Sequence, residues 1–244
     1  MPLTFPAHQA VVLPIKLRWP NRCDATALCI GSVAPDLGYS VIGGTSHNVI
    51  GVVTFAIPFT VVACILLRWR ASAAFSFLPD GGPFRVHSYR VIQDRRPPWV
   101  HTILGALFGA GSHALIDTFT HTGRWGASLL GLNSVLFTIP WRGDITTARL
   151  LQYLGHSVGS AIAVALFLHI GRQHLLEQWY GEPAVGAARA NRPSLRNHLK
   201  FWAIVGAVGI VVALAATAGG GPIVFNVILG ATVGVLIAGC STRA

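Results

Sequence analysis

Charge is what this chain has least of. Only 11% of its 244 residues are Asp, Glu, Lys or Arg, against about 25% in an ordinary soluble domain. Acidic residues are scarcest, with 8 Asp+Glu against 18 Lys+Arg. With 52% hydrophobic residues, this excludes an ordinary cytosolic enzyme. It also excludes a disordered chain, which needs low hydrophobicity. Cysteine is nearly as rare. Cys23 and Cys29 are six apart, Cys64 and Cys240 lie in apolar runs, and none has zinc-framework spacing. Residues 1–22 do not read as a cleavable signal, because they hold four prolines and their basic residues follow the apolar stretch. No stretch alternates basic and aromatic residues as a single-strand-binding groove does. The net charge of +10 therefore does not indicate a nucleic-acid partner.

What is present is length of apolar sequence. A spanning helix needs about 20 mostly apolar residues. Val49–Leu67, Trp99–Phe119, Leu150–Ile170, Phe201–Gly219 and Pro222–Cys240 all qualify. Residues 23–44 form a weaker sixth candidate, interrupted by Pro35, Asp36 and glycines, and suit a full span or a re-entrant segment. The fold class expected is an all-α, polytopic integral membrane helical bundle of five or six spans, in agreement with the mean hydropathy of +0.58. Three regions follow: a polar-decorated core over 1–170, a cytoplasmic linker over 171–200, and a C-terminal transmembrane hairpin over 201–244.

Basic residues set orientation, because Lys and Arg favour cytoplasmic loops. Segment 68–98 carries Arg68, Arg70, Arg85, Arg90, Arg95 and Arg96, and segment 171–200 carries Arg172, Arg189, Arg192, Arg196 and Lys200. They lie two spans apart, hence on one side, which the rule makes cytoplasmic. Arg243 places the C-terminus there too. The intervening segment 120–149 holds only Arg124, Arg142 and Arg149. Lys16, Arg18 and Arg22 join the cytoplasmic side only if residues 23–44 cross.

Ionisable residues within apolar segments are costly and mark functional sites. In the run Ser112–His121, His113, Asp117 and His121 recur every four residues, on one helix face. His and carboxylate four apart can chelate one divalent ion, the logic of HExxH. All three cannot reach one ion on a straight helix, since eight residues rise about 12 Å. The helix must break near Thr118–Thr120, or two metals bind, or His121 supports from outside the ligand set. The plainer reading is an interhelical hydrogen-bond network. Upstream stand Asp36, behind Pro35, and His47, just before a span, with His8 near the start and His156 as a weaker addition. Asp36 also has a plain reading, as a turn or cap residue, and His8 as a packing residue. The topology brings His47, Asp117, His121 and His156 to one membrane face. His8, Asp36, His47, His113 and Asp117 should then converge within a few ångströms. Imidazole and carboxylate suit zinc, manganese or iron.

The opening Met1–His8, the Gly31–Asp36 motif (GSVAPD), Ser46-His47 and the run at 112–121 together resemble an uncharacterised bacterial membrane family, domain-of-unknown-function family 4184. The resemblance covers most of residues 1–170. That family is distantly similar to membrane-bound metal-dependent hydrolases and, beyond them, to zinc phospholipase C and P1-type nucleases. The resemblance implies a bacterial inner-membrane protein with metal ligands His8, Asp36, His47, His113, Asp117 and His121. It also implies catalytic roles for Asp36 and Asp117. His156 is followed four residues on by Ser160, so the HxxxE pair of the zinc enzymes is absent, and one or two metals fit better than three. The function expected is hydrolysis of a phosphoester or lipid-like substrate at the outer membrane face, with a divalent metal, foremost zinc, activating water. The alternatives are a transporter or channel using the same residues as a cation or proton path, and a non-catalytic protein with structural metal. Membrane lipid is the expected partner.

Overall fold

The computed structural model describes residues 4–220 and 222–242. Gly221, which contributes to the expected hairpin break, Arg243, which contributes to the orientation, and Met1–Leu3 of the opening motif lie outside the described residues. The chain is a helical bundle whose long helices stand side by side. Short α1 (Thr4–Ala7) and α2 (Gln9–Arg18) lead to α3 (Ala25–Gly31) and α4 (Ala34–Ile42). Then α5 (Val49–Gly51), a π turn over Val52–Ala56 and α6 (Ile57–Trp69) make one rod, Val49–Trp69. After α7 (Trp99–Thr120) and α8 (Trp125–Leu129), strands β1 (Val135–Ile139) and β2 (Gly143–Thr146) pair as an antiparallel hairpin. Next come α9 (Thr147–Arg172), α10 (Leu175–Tyr180), α11 (Glu182–Ala190), α12 (Leu195–Ala218) and α13 (Ile223–Ser241).

By length and composition, five helices can cross a membrane: Val49–Trp69, α7, α9, α12 and α13. A sixth span arises if α3 and the stretch Ala34–His47, bent by 42° at their junction, count as one. The side chains are sorted as a lipid solvent demands. Ile210, Val211 and Leu214 of α12 point outward, while His8, Asp36, His47, His113, Asp117 and His156 are buried. Polar residues in spans turn to the interior because hydrocarbon cannot solvate them.

The bend between α3 and α4 follows from Pro35. Without an N–H, Pro35 cannot continue the ladder to Gly31, and its place in the first turn of α4 is where a missing donor costs least. The sixth candidate does run from end to end. Asp24 caps the start of α3, its carboxylate accepting from Ala27 N–H at 3.3 Å. It also accepts from Thr102 Oγ1 at 2.7 Å, in the first turn of α7, and pairs with Arg68 at the end of α6. His47, by contrast, precedes the rod that Arg68 ends. Lys16 stands near Phe84, Tyr89 and Tyr180, and Arg22 near His101. The N-terminal basic residues thus share the end that carries segments 70–98 and 173–194.

Close packing of α3 on α7 sets the depth of the site. A Cβ at Gly109 would lie 2.6 Å from Leu28 O and 2.7 Å from Ser32 N, and one at Gly31 would lie 2.8 Å from Ala106 O. Small residues let the two backbones touch, as in membrane helix pairs generally. Gly109→Ala is therefore expected to push α3 away and cost about 1–3 kcal/mol. It should also weaken metal retention, since Ser32 would move from His113. A thermal melt with and without added zinc checks both.

Two segments are more ordered than their composition implied. The stretch 71–94 winds through 3-10 turns that bury Phe77 and Val91. Much of the linker region 171–200, whose stretch 184–198 reads as flexible in the sequence, is helical in α10 and α11, and Val185 is fully buried in a cluster with Leu13, Val91 and Ile170. Their small and basic residues hide a helical face that only tertiary contact with α2 and α9 reveals.

Candidate metal centre

Four elements deliver the site. Asp36 stands in the first turn of α4, immediately after the bend. His47 ends the 3-10 turn Gly43–His47. His113 and Asp117 are one turn apart near the end of α7, and His8 lies at the junction of α1 and α2. His47 Nε2 lies 3.3 Å from Asp36 Oδ1 and 3.4 Å from Asp117 Oδ2. His113 Nε2 lies 3.6 Å from Asp36 Oδ1 and 3.4 Å from Asp117 Oδ2. Ligand atoms of Asp36, His47 and His113 are all within 4.8 Å of one another, as are those of His8, His113 and Asp117.

These spacings fit a divalent ion. Bonds of ~2.0–2.1 Å in a tetrahedron place ligand atoms about 3.3 Å apart, and the four contacts above run from 3.3 to 3.6 Å. The ring nitrogens pointing away are also held. His113 Nδ1 lies 2.7 Å from the Ser32 carbonyl, and His47 Nδ1 lies 2.7 Å from Ser46 Oγ. Such outer contacts fix the tautomer of a metal-binding histidine. A carbonyl can only accept, so His113 Nδ1 carries its proton. His113 Nε2 is buried and has no hydrogen-bond partner, and Asp36 Oδ2 is likewise unpartnered. Unpartnered polar atoms in a buried site are costly, and either a proton on the imidazole or a metal ion among these groups removes that cost. The buried His/Asp cluster can bind a metal ion.

His8 stacks on His113 with ring centroids 3.7 Å apart. Burial, then the neighbouring His113, pushes the His8 pKa down to about 3, so its imidazole stays neutral and able to donate a lone pair. His156 lies edge-on to His8 with centroids 6.4 Å apart, and its Nδ1 is unpartnered. His121 is the outlying member. α7 stops at Thr120, and His121 leaves the helix in an extended conformation, φ −111° and ψ 125°. The helix does end there, but the break does not bring His121 into either group of ligand atoms within 4.8 Å of one another. Its Nδ1 lies 3.6 Å from Asp117 Oδ1, on the far side of that carboxylate from His47 and His113, and its Nε2 lies 2.8 Å from Gln152.

The centre opens on a cavity of about 470 Å³. His8, Asp36, His47, Asp117, His121 and His156 line it, together with Tyr39 and Phe225. Phe225 comes from α13, so the C-terminal hairpin walls the site and is more than an appendage. Arg124, Arg142 and Arg149 also line the cavity. In the sequence these three served only as the sparse count of an outer loop. Nothing in the one-dimensional pattern distinguishes them, because hairpin β1–β2 and α8 bring them together.

Together, the helical bundle and buried His/Asp cluster define a membrane protein with a candidate metal centre. The sequence profile described as "Domain of unknown function (DUF4184)" matches residues 1–241, and the chain belongs to that family. No curated protein and no solved structure matches the chain significantly.

Proposed function

We propose that the chain is a metal-dependent hydrolase of phosphoesters, with zinc held by Asp36, His47, His113 and Asp117 and flanked by His8. The observation that carries this reading is His113. Its Nδ1 is committed to the Ser32 carbonyl, and its buried Nε2, with no hydrogen-bond partner, faces two carboxylates at 3.4 and 3.6 Å. The orientation that the basic segments favour puts the cavity on the outer face of the membrane, and the family resemblance suggests a bacterial inner membrane.

A divalent cation bound there lowers the pKa of water toward neutrality and polarises a phosphoryl oxygen. The chain's own groups do the rest. Asp36 lines the cavity, offers Oδ1 to the ligand cluster and holds Oδ2 buried without a hydrogen-bond partner; its carboxylate is the base that takes a proton from attacking water. A structural-metal site has no need of a polar cavity at its side, and the cavity favours the catalytic reading.

Asp36→Asn separates binding from chemistry. The amide keeps an oxygen for the ligand cluster but cannot take a proton. Zinc-loaded protein in detergent should hydrolyse p-nitrophenyl phosphate, lose this on chelation and regain it with zinc. Asp36→Asn should retain zinc while kcat falls about 10²–10⁴-fold. Zinc-bound wild type that turns over no phosphoester, yet unfolds on chelation, would establish a structural metal instead.

A further inference from the structure

We infer that Arg124, Arg142 and Arg149 form a phosphate-binding crown that selects a lipid bearing a terminal phosphomonoester, delivered from the bilayer leaflet at this end of the bundle. The inference rests on the hydrolase reading for its chemistry, and on these arginines for its specificity.

Three guanidinium groups converge on the cavity that holds the metal centre. Among the described residues, none of the three forms an ion pair with a carboxylate. Arg68, Arg85 and Arg189, by contrast, are each paired with a carboxylate. Arg142 instead lies over the Tyr153 ring, 4.9 Å from its centroid, and donates from Nε to Tyr153 Oη at 3.1 Å. Arg149 donates from Nη1 to the Asp144 carbonyl at 3.0 Å. These contacts hold the side chains of Arg142 and Arg149 and neutralise neither charge. Arginine is the residue suited to planar, bidentate recognition of phosphate. Three of them, beside a cation, match the two negative charges of a monoester better than the single charge of a diester. A choline headgroup would bring a further positive charge into the same cavity.

The hairpin that carries Arg142 indicates where the substrate comes from. Leu136, Phe137 and Trp141 are exposed, Trp141 by 85%, on the hairpin that precedes α9 and carries the cavity-lining Arg142 at its turn. Exposed apolar side chains with a Trp at the end of spanning helices suit the membrane interface. In hydrolysis the water oxygen bonds to phosphorus, and the phosphorus–oxygen bond to the lipid breaks. Its electron pair leaves on the lipid oxygen, which gains a proton. The products are a lipid alcohol and inorganic phosphate.

The test uses zinc-loaded full-length protein in phosphatidylcholine nanodiscs, with and without phosphatidic acid. Inorganic phosphate should raise the melting temperature of wild type saturably. Phosphate affinity should fall about tenfold or more per arginine replaced by glutamine, with zinc content unchanged. Arg142→Gln, at an exposed position, guards against misfolding of the triple variant. Phosphatidic acid should release phosphate faster than p-nitrophenyl phosphate does, and phosphatidylcholine should remain intact. Phosphate binding that is absent, or equal in the variants, overturns the crown. Equal turnover of lipid and soluble esters overturns the lipid source. Arginine-dependent phosphate binding in a chain that holds no zinc upholds the crown and defeats the hydrolase reading alone.

Discussion

Replacing His113 by alanine is expected to lower zinc affinity more than about 100-fold. Removing a group that merely orients a metal ligand already costs about 10–100-fold, and His113 contacts both carboxylates of the cluster. Ser46→Ala provides the graded control. It deletes only the hydroxyl at 2.7 Å from His47 Nδ1, so affinity should fall about tenfold. His121→Ala should fall least of the three, because its ring meets Asp117 from the opposite side. Competition titration against a zinc chelator orders them. The sequence His113 > Ser46 > His121 supports one ion between α4 and α7, whereas a dominant His121 would move the ion to the rim.

The second large effect lies at the other end of the bundle. Arg68→Ala is expected to destabilise the protein by about 3–5 kcal/mol, because it leaves Asp24 buried as an uncompensated charge. Asp24 and Arg68 are both buried, and Thr102 bonds to each. This clamp ties the starts of α3 and α7 to the end of α6, and touches no cavity residue of the metal centre. Thermal melts should show the loss, while the folded fraction binds zinc as wild type does. The double variant Arg68→Ala with Asp24→Ala should recover part of the stability, as a coupled pair does. Loss of zinc affinity in folded Arg68→Ala would instead show that the clamp sets the site.

The sequence and the structure agree where chemistry is conspicuous. Asp36, His47, His113 and Asp117 stood out because charged or metal-binding groups are rare in apolar helices, and the geometry brings all four together. His8 was legible for the same reason. The long spans were legible because bilayer thickness sets a length that composition must meet. The Asp24–Arg68 clamp was missed, since the two residues are 44 apart and each sits at a helix end, where a charge looks solvated. The arginine crown was missed because loop arginines are ordinary. Their meaning depends on hairpin β1–β2, a short element whose strands are mostly exposed and lack the buried alternation that marks a strand. The helices over 175–190 escaped notice because α10 is only six residues long and α11 is mostly small residues, and only contact with Leu13 and Val91 shows which face is buried.

The most direct test of the central claim is X-ray absorption at the zinc edge of the purified, zinc-loaded chain, with His113→Ala beside it. The account predicts about one tightly held zinc per chain, with nitrogen and oxygen ligands at ~2.0–2.1 Å and an imidazole contribution that falls in the variant. A sulfur shell near ~2.3 Å, or an unchanged spectrum in His113→Ala, would contradict it.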